Sequence, residues 1–178
     1  LAGSLLVLVG TKEEQDASLK TVLDAASALT VGDGADPATD VCPLVSVASR
    51  ERVEGEIETA LGEGAELVLD GRRGGGEGGA QLGPTIIDGA SPDSRAVKEE
   101  LFGPVLTVLR ADDLDGALEV VNSSRYGNSS ILFTSSGGTA REFRYGVQAG
   151  MIGVNVGVAA PIAWFPFAGW EDSIDGDL

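Results

Sequence analysis

The spacing of apolar positions changes period repeatedly along the chain. Residues 5–9 (Leu-Leu-Val-Leu-Val) are apolar without a break, the pattern of a strand buried on both faces. From Lys12 the period lengthens. Leu19, Val22, Leu23 and Ala26 recur at i, i+3, i+4 and i+7, which predicts a helix over 12–29. A second helix is predicted over 48–61, with Val53, Ile57, Ala60 and Leu61 on one face. Ser46 suits its cap, and Gly62 or Gly64 its stop. Strands are predicted over 66–69, 84–88 and 103–110. A helix over 113–122 carries Leu114, Ala117, Leu118 and Val121 on one face, with Asp112 as its cap. A strand over 130–134 precedes a helix over 138–149 that buries Ala140, Phe143 and Val147 and stops at Gly150. The last strand is placed at 151–156. Strands alternating with such helices imply an α/β fold: a largely parallel sheet, flanking helices and right-handed crossovers.

Two stretches interrupt the periodicity. Residues 30–43 are rich in Gly, Pro and Asp and read as a loop. Residues 72–79 hold five Gly in eight positions. They lack the Gly-Lys-Ser/Thr of a phosphate-binding loop and open no predicted helix, so they read as a surface loop. Neither stretch marks a domain boundary, and there is no internal repeat.

Composition narrows the chemistry. The 178 residues include 28 acids and 12 bases, for a net charge of −16. Such a surface repels nucleic-acid backbones. A chain of this length can bury ~70% of its unfolded surface. Only Lys12, Lys20 and Lys98 are lysines; the remaining bases are Arg. An acidic, lysine-poor surface suits high salt, and a GC-rich genome gives the same bias. The absence of His excludes imidazole acid–base chemistry and His–metal sites within this sequence. One Cys excludes an internal disulfide or a Cys-cluster metal site. No 18-residue apolar run suggests a membrane span. Residues 1–10 are apolar but lack a basic leader, and they read as a buried strand. A chain that starts inside a buried strand, and stops at residues 175–178 without a helix, reads as cut at both ends.

Three places could carry chemistry. Cys42 is the only thiol. A catalytic thiolate wants a helix N-terminus or a cation beside it. Cys42 has Asp40 and Pro43 instead and reads as incidental. Glu99-Glu100-Leu101-Phe102-Gly103-Pro104 sets a fixed acid at the start of a strand. A carboxylate there can accept two hydroxyl hydrogen bonds from a ribose; composition alone favours the plainer reading, a solvated acidic turn. Trp164-Phe165-Pro166-Phe167-Ala168-Gly169-Trp170 packs four aromatics into seven residues. It reads as a pocket wall, a core plug or a subunit contact. Asn155 and the glycines at 150, 153 and 157 suggest close backbone approaches nearby. Tyr126-Gly127-Asn128 reads as a turn.

These motifs, in this order, resemble the aldehyde dehydrogenase superfamily. Residues 99–105 (Glu-Glu-Leu-Phe-Gly-Pro-Val) are similar to its signature for the nicotinamide-side ribose. Residues 122–128 (Asn-Ser-Ser-Arg-Tyr-Gly-Asn) resemble its N-x-x-x-Y-G segment. Residues 39–46 (Thr-Asp-Val-Cys-Pro-Leu-Val-Ser) resemble T-D-x-G-P-L-I-S, with Cys42 where Gly is usual. Residues 150–170 resemble the CoA-acylating, methylmalonate-semialdehyde branch. Departures are the Gly-rich loop 73–79 and residues 173–178, where aromatics usually precede the Gly.

The resemblance implies that 1–178 is part of an aldehyde dehydrogenase catalytic domain, truncated at both ends. It places no catalytic residue in this chain, because the nucleophilic Cys is expected immediately before Leu1. The cofactor domain, general base and oxyanion donor are expected upstream. It implies NAD as cofactor, CoA as co-substrate and a small semialdehyde as substrate. It assigns Glu100 to the ribose hydroxyls, Phe102 to the nicotinamide, and Phe165 and Phe167 to the acyl pocket. No metal, nucleic acid or membrane partner is implied. The full-length protein would be a cytoplasmic homo-oligomer of valine catabolism. A succinate-semialdehyde type without CoA, or a non-catalytic half-subunit, remain alternatives.

Overall fold

The length of each connection decides how its flanking strands pair. The computed structural model describes residues 3–74, 79–157, 159–165 and 167–175. Contacts divide the chain after Arg110 into two compact units.

In the first unit, β1 (Leu5–Val9), β2 (Glu66–Leu69), β3 (Thr85–Asp88) and β4 (Val105–Ala111) form a sheet in the order β1-β4-β3-β2. β3 and β4 are parallel, with Thr85 opposite Val105 and Asp88 opposite Val108. Residues 89–104 join them, long enough for the crossover that parallel pairing requires. A short helix unmarked by the sequence periodicity, α3 (Arg95–Lys98), lies in this crossover. β2 runs antiparallel to β3, Glu66 opposite Asp88. This departs from the parallel pairing expected. The described part of 70–84 holds only a 3-10 turn, Gly71–Gly74, with no helix to carry the chain across, so it doubles back.

Helices cover both faces of this sheet. α1 (Lys12–Ser27) starts with a capping box: the Glu14 N–H donates to Thr11 Oγ1, and the Thr11 N–H donates to Glu14 Oε2 at 2.8 Å. The Thr11 backbone bond, then its hydroxyl, holds the Glu14 carboxyl below its ordinary value. Leu19 of α1 is buried with Leu8, Ile86 and Val108. Side chains alternate across a strand, so Thr85, Ile87 and Thr107 take the opposite face, and they are buried too. There the Thr107 hydroxyl donates to the Ala96 carbonyl of α3 at 3.1 Å. α2 (Val47–Gly62) is capped by Ser46, as its sequence predicts, and buries Val53, Ile57 and Ala60. Full burial of an Ile contributes about 2 kcal/mol.

The second unit holds α4 (Leu114–Asn122), β5 (Ser129–Leu132), α5 (Gly137–Gly146) and β6 (Met151–Val154). β5 and β6 are parallel, Ser129 opposite Met151, with α5 between them. Phe143, Val147 and Ala149 form its core against Leu114, Leu118, Val121 and Leu132.

Several predicted boundaries move here, each for a local reason. The cap of α4 is Asp113, not Asp112, because Asp113 Oδ1 accepts the Gly116 N–H at 2.9 Å. α5 ends at Gly146, not before Gly150. The Asn122 amide donates to the Gly146 carbonyl at 2.8 Å and accepts the Gln148 N–H at 2.8 Å, satisfying the chain end as Val147 turns extended. β6 stops at Val154 because Asn155 adopts φ 55°. The Asn155 side chain then clasps both the N–H and the carbonyl of Thr134 at 2.9 Å, beyond the end of β5.

Candidate functional site

β4 is an interior strand of its sheet, and the acidic motif is the turn that feeds it. The parallel strands β3 and β4 are each preceded by Gly-Pro, at 83–84 and 103–104, and the strands start in register, Thr85 opposite Val105. The Thr85 N–H donates to the Pro104 carbonyl at 2.8 Å, fixing the end of the turn. Before it, α3 ends as the Glu99 N–H donates to the Arg95 carbonyl at 2.9 Å. Between these pins Leu101 points inward and is 4% exposed, while Phe102 points outward and is 74% exposed.

Phe102 has φ 49°, a left-handed conformation that a bulky residue adopts only when its surroundings impose it. The next residue is closely packed as well. A Cβ on Gly103 would stand 3.1 Å from both methyl groups of Val53 in α2. Glu100 is exposed, and its carboxylate has no hydrogen-bond or ion-pair partner among the described residues. An ionised carboxylate is an acceptor with two oxygens. Left unpaired at a pinned turn, it can receive a pair of hydroxyls without first breaking a bond of its own.

The sequence reading missed the residues behind this turn. Arg52 of α2 donates through Nη2 to the Leu101 carbonyl. Glu56, one helical turn on, pairs with Arg95 of α3 at 2.7 Å. The i, i+4 spacing of Arg52 and Glu56 was the available signal, but within a charged helix face it has no distinguishing mark.

The aromatic segment belongs to the second unit. Trp164, Phe165, Phe167 and Trp170 are all exposed, the first at 88%, so the segment is not a core plug of this chain. Phe165 closes an open groove of about 590 Å³ with Met151, Gly153, Val156, Ala159 and Pro161. Phe167 is exposed beside it in sequence but is not one of the lining residues. The segment is stitched down after Phe167. Trp170 N–H donates to the Gly127 carbonyl at 3.0 Å, and Ser173 Oγ accepts the Gly127 N–H at 2.9 Å. Residues 126–128 form the expected link between α4 and β5. Gly150 is a true close approach, since a Cβ there would stand 1.9 Å from the Ala168 carbonyl oxygen. Gly153 is another, but Gly157 faces open space, contrary to expectation. Pro166, residues 75–78, residues 176–178 and the start of the chain at Leu1 lie outside the described residues.

Cys42 is an exposed free thiol. Its neighbour Asp40 is engaged by the Thr30 N–H at 2.8 Å. Among the described residues no group of three or more His, Cys, Asp or Glu could hold a metal, and no helix is long and apolar enough to cross a membrane.

Residues 4–177 match the family model described as "Aldehyde dehydrogenase family". Malonate-semialdehyde dehydrogenase 1 of Geobacillus kaustophilus (strain HTA426) is 43% identical over 180 residues, covering 100% of this chain and 36% of the relative. The crystal structure of methylmalonate-semialdehyde dehydrogenase from Oceanimonas doudoroffii superposes with a TM-score of 0.90 at 35% identity, over 97% of this chain and 36% of that one. A structure from Sinorhizobium meliloti 1021, complexed with NAD, gives a TM-score of 0.93 at 34% identity, over 98% and 36%. The chain thus spans about a third of the length of the relatives it matches.

Proposed function

The chain belongs to the aldehyde dehydrogenase family, and from that premise we propose that it is part of the catalytic domain of an NAD-dependent methylmalonate- or malonate-semialdehyde dehydrogenase that transfers its acyl group to CoA. The observation that carries this reading is the turn at 99–104, with the unpaired Glu100 carboxylate and the outward Phe102 ring on one pinned loop.

A free carboxylate acceptor beside an exposed aromatic ring fits a nicotinamide nucleotide. Glu100 accepts hydrogen bonds from the two hydroxyls of the nicotinamide-side ribose, and Phe102 packs beside the nicotinamide. NAD, when bound, supplies the acceptor for the hydride that leaves the aldehyde carbon. The contribution of this chain is therefore orientation, which sets how often the reacting groups meet at a productive distance. In this reading Phe165 and Phe167 are assigned to the acyl pocket of the longer protein, Phe165 from the wall of the groove and Phe167 from beside it. The attacking thiolate is a cysteine ahead of Leu1 in a longer polypeptide, and Cys42 takes no part. The acyl group passes to CoA with loss of carbon dioxide, giving propionyl-CoA or acetyl-CoA. The full-length protein is a cytoplasmic homo-oligomer in this reading.

The test is an assay of the full-length protein with NAD and methylmalonate or malonate semialdehyde, with and without CoA. NADH formation that requires CoA, with propionyl-CoA or acetyl-CoA identified by mass, is the expected result. CoA-independent oxidation of succinate semialdehyde would replace this substrate assignment, and no turnover on any aldehyde would favour a half-subunit. The 178 residues alone are expected to be inactive. Turnover by them would overturn the placement of the nucleophile.

A further inference from the structure

We propose that α2 is the positioning element of the cofactor turn: Arg52, through the Leu101 carbonyl, and Glu56, through Arg95, hold Glu100 and Phe102 in the geometry that presents them. The proposal rests on the reading of Glu100 as the ribose acceptor and names the residues that make that acceptor rigid.

Four observations converge on it. Phe102 holds a left-handed backbone without being glycine, so something must keep the turn from relaxing. Arg52 sits in a chain with 28 acids, yet it forms no ion pair among the described residues and donates to a backbone carbonyl one residue before Phe102. A charge-assisted bond to a carbonyl is stronger than a neutral one, and this one ties a helix to the turn. Val53, next along α2, packs both methyl groups 3.1 Å from where a Cβ on Gly103 would stand. Glu56, only 11% exposed, fixes Arg95 at the start of α3 at 2.7 Å. One helix face thus reaches residues 95, 101 and 103, and the two side chains left unheld between them are Glu100 and Phe102. Arg52 is a positioning residue in this account: it acts through the turn and not on the substrate.

Two measurements test it. The first follows backbone amide motion in this chain by NMR relaxation. Residues 100–103 are expected to be as ordered as β4, with order parameters of about 0.85, and to fall below about 0.6 in Arg52→Met. Arg52→Lys, which can still donate to the carbonyl, is expected to stay near the unsubstituted value, and amides of β3 and β4 are expected not to change. Unchanged order at 100–103 in Arg52→Met would overturn the clamp. The second measures NAD affinity of the full-length protein by calorimetry. Arg52→Met is expected to weaken it about tenfold, and to cost severalfold less when added to Glu100→Ala, where only its effect through Phe102 remains, because residues acting through one another are not additive. Additive losses would overturn the proposal, since Arg52 would then act independently of Glu100. Should Glu100→Ala leave NAD affinity unchanged, the ribose reading fails, while the relaxation result still decides whether α2 holds the turn.

Discussion

Ile57 in the first unit is 0% exposed and Trp164 in the second is 88% exposed. The contrast extends to the units themselves. Among the described residues, the largest side chains with almost no exposure are Ile57, Leu82, Ile86, Ile87, Val53, Val108, Thr85 and Thr107, all within Gly3–Arg110. The second unit displays Phe133, Tyr145, Ile162, Trp164 and Phe165, each more than 60% exposed, where the first has only Val45 and Phe102 so exposed among the described residues. A four-stranded sheet with helices on both faces buries its apolar residues within its own chain. A two-stranded sheet has too little surface to do so. The lesson is that core formation is uneven: the first unit closes a core between sheet and helices, while the second leaves most of its aromatic segment exposed.

The largest expected effect separates closed core from exposed segment. Ile57→Ala should lower stability by about 3 kcal/mol through transfer and cavity terms, whereas Trp164→Ala should change it by under ~0.5 kcal/mol. Urea denaturation measures both; comparable losses would break the contrast. Next, Gly150→Ala drives a Cβ into the Ala168 carbonyl, while Gly157→Ala meets open space. The first should cost about 2 kcal/mol as strain in a filled site, and should alter the near-UV signal of Trp170. The second should be silent.

Smaller effects sharpen the same comparison at helix ends and ion pairs. Asp113→Ala should cost about 1 kcal/mol as a lost cap, and Asp112→Ala almost nothing, by the same denaturation. In the first unit, the Arg72 guanidinium bonded to Asp70 holds that carboxyl below its ordinary value of 3.8. A carboxyl depressed in the folded state stabilises fully above its unfolded value, and that increment is lost as pH falls through the folded one. Asp70→Asn should therefore be less stable than the unsubstituted protein at neutral pH. The gap should narrow as pH drops below about 4, as read from melting temperatures across an acid series.

Much of this architecture is legible in the sequence because one-sided periodicity is a strong signal. Val53, Ile57 and Ala60 fall on the buried face of α2 as their spacing predicts, and β1 and β2 begin and end at the predicted residues. What escapes is decided by contacts distant in sequence. The stop of α5 depends on Asn122, which is 24 residues from Gly146. α3 is a single turn, too short to show a period. The antiparallel pairing of β2 depends on what a Gly-rich connection lacks. The turn at 99–104 was visible as a motif, and its resemblance to a ribose-binding signature located Glu100 and Phe102. Its support from Arg52 and Glu56 was not visible, because a charged pair at i, i+4 on a helix is usually just a solvated face.

The central claim is that the Glu100 carboxylate receives the hydroxyls of the nicotinamide-side ribose. The most direct measurement is calorimetric affinity of the full-length protein, and of its Glu100→Ala variant, for NAD and for an analogue lacking one hydroxyl on that ribose. The account predicts that the unsubstituted protein prefers NAD by about tenfold, the worth of one hydrogen bond to a charged group, and that Glu100→Ala binds both ligands equally. A Glu100→Ala variant that still discriminates between them would contradict it.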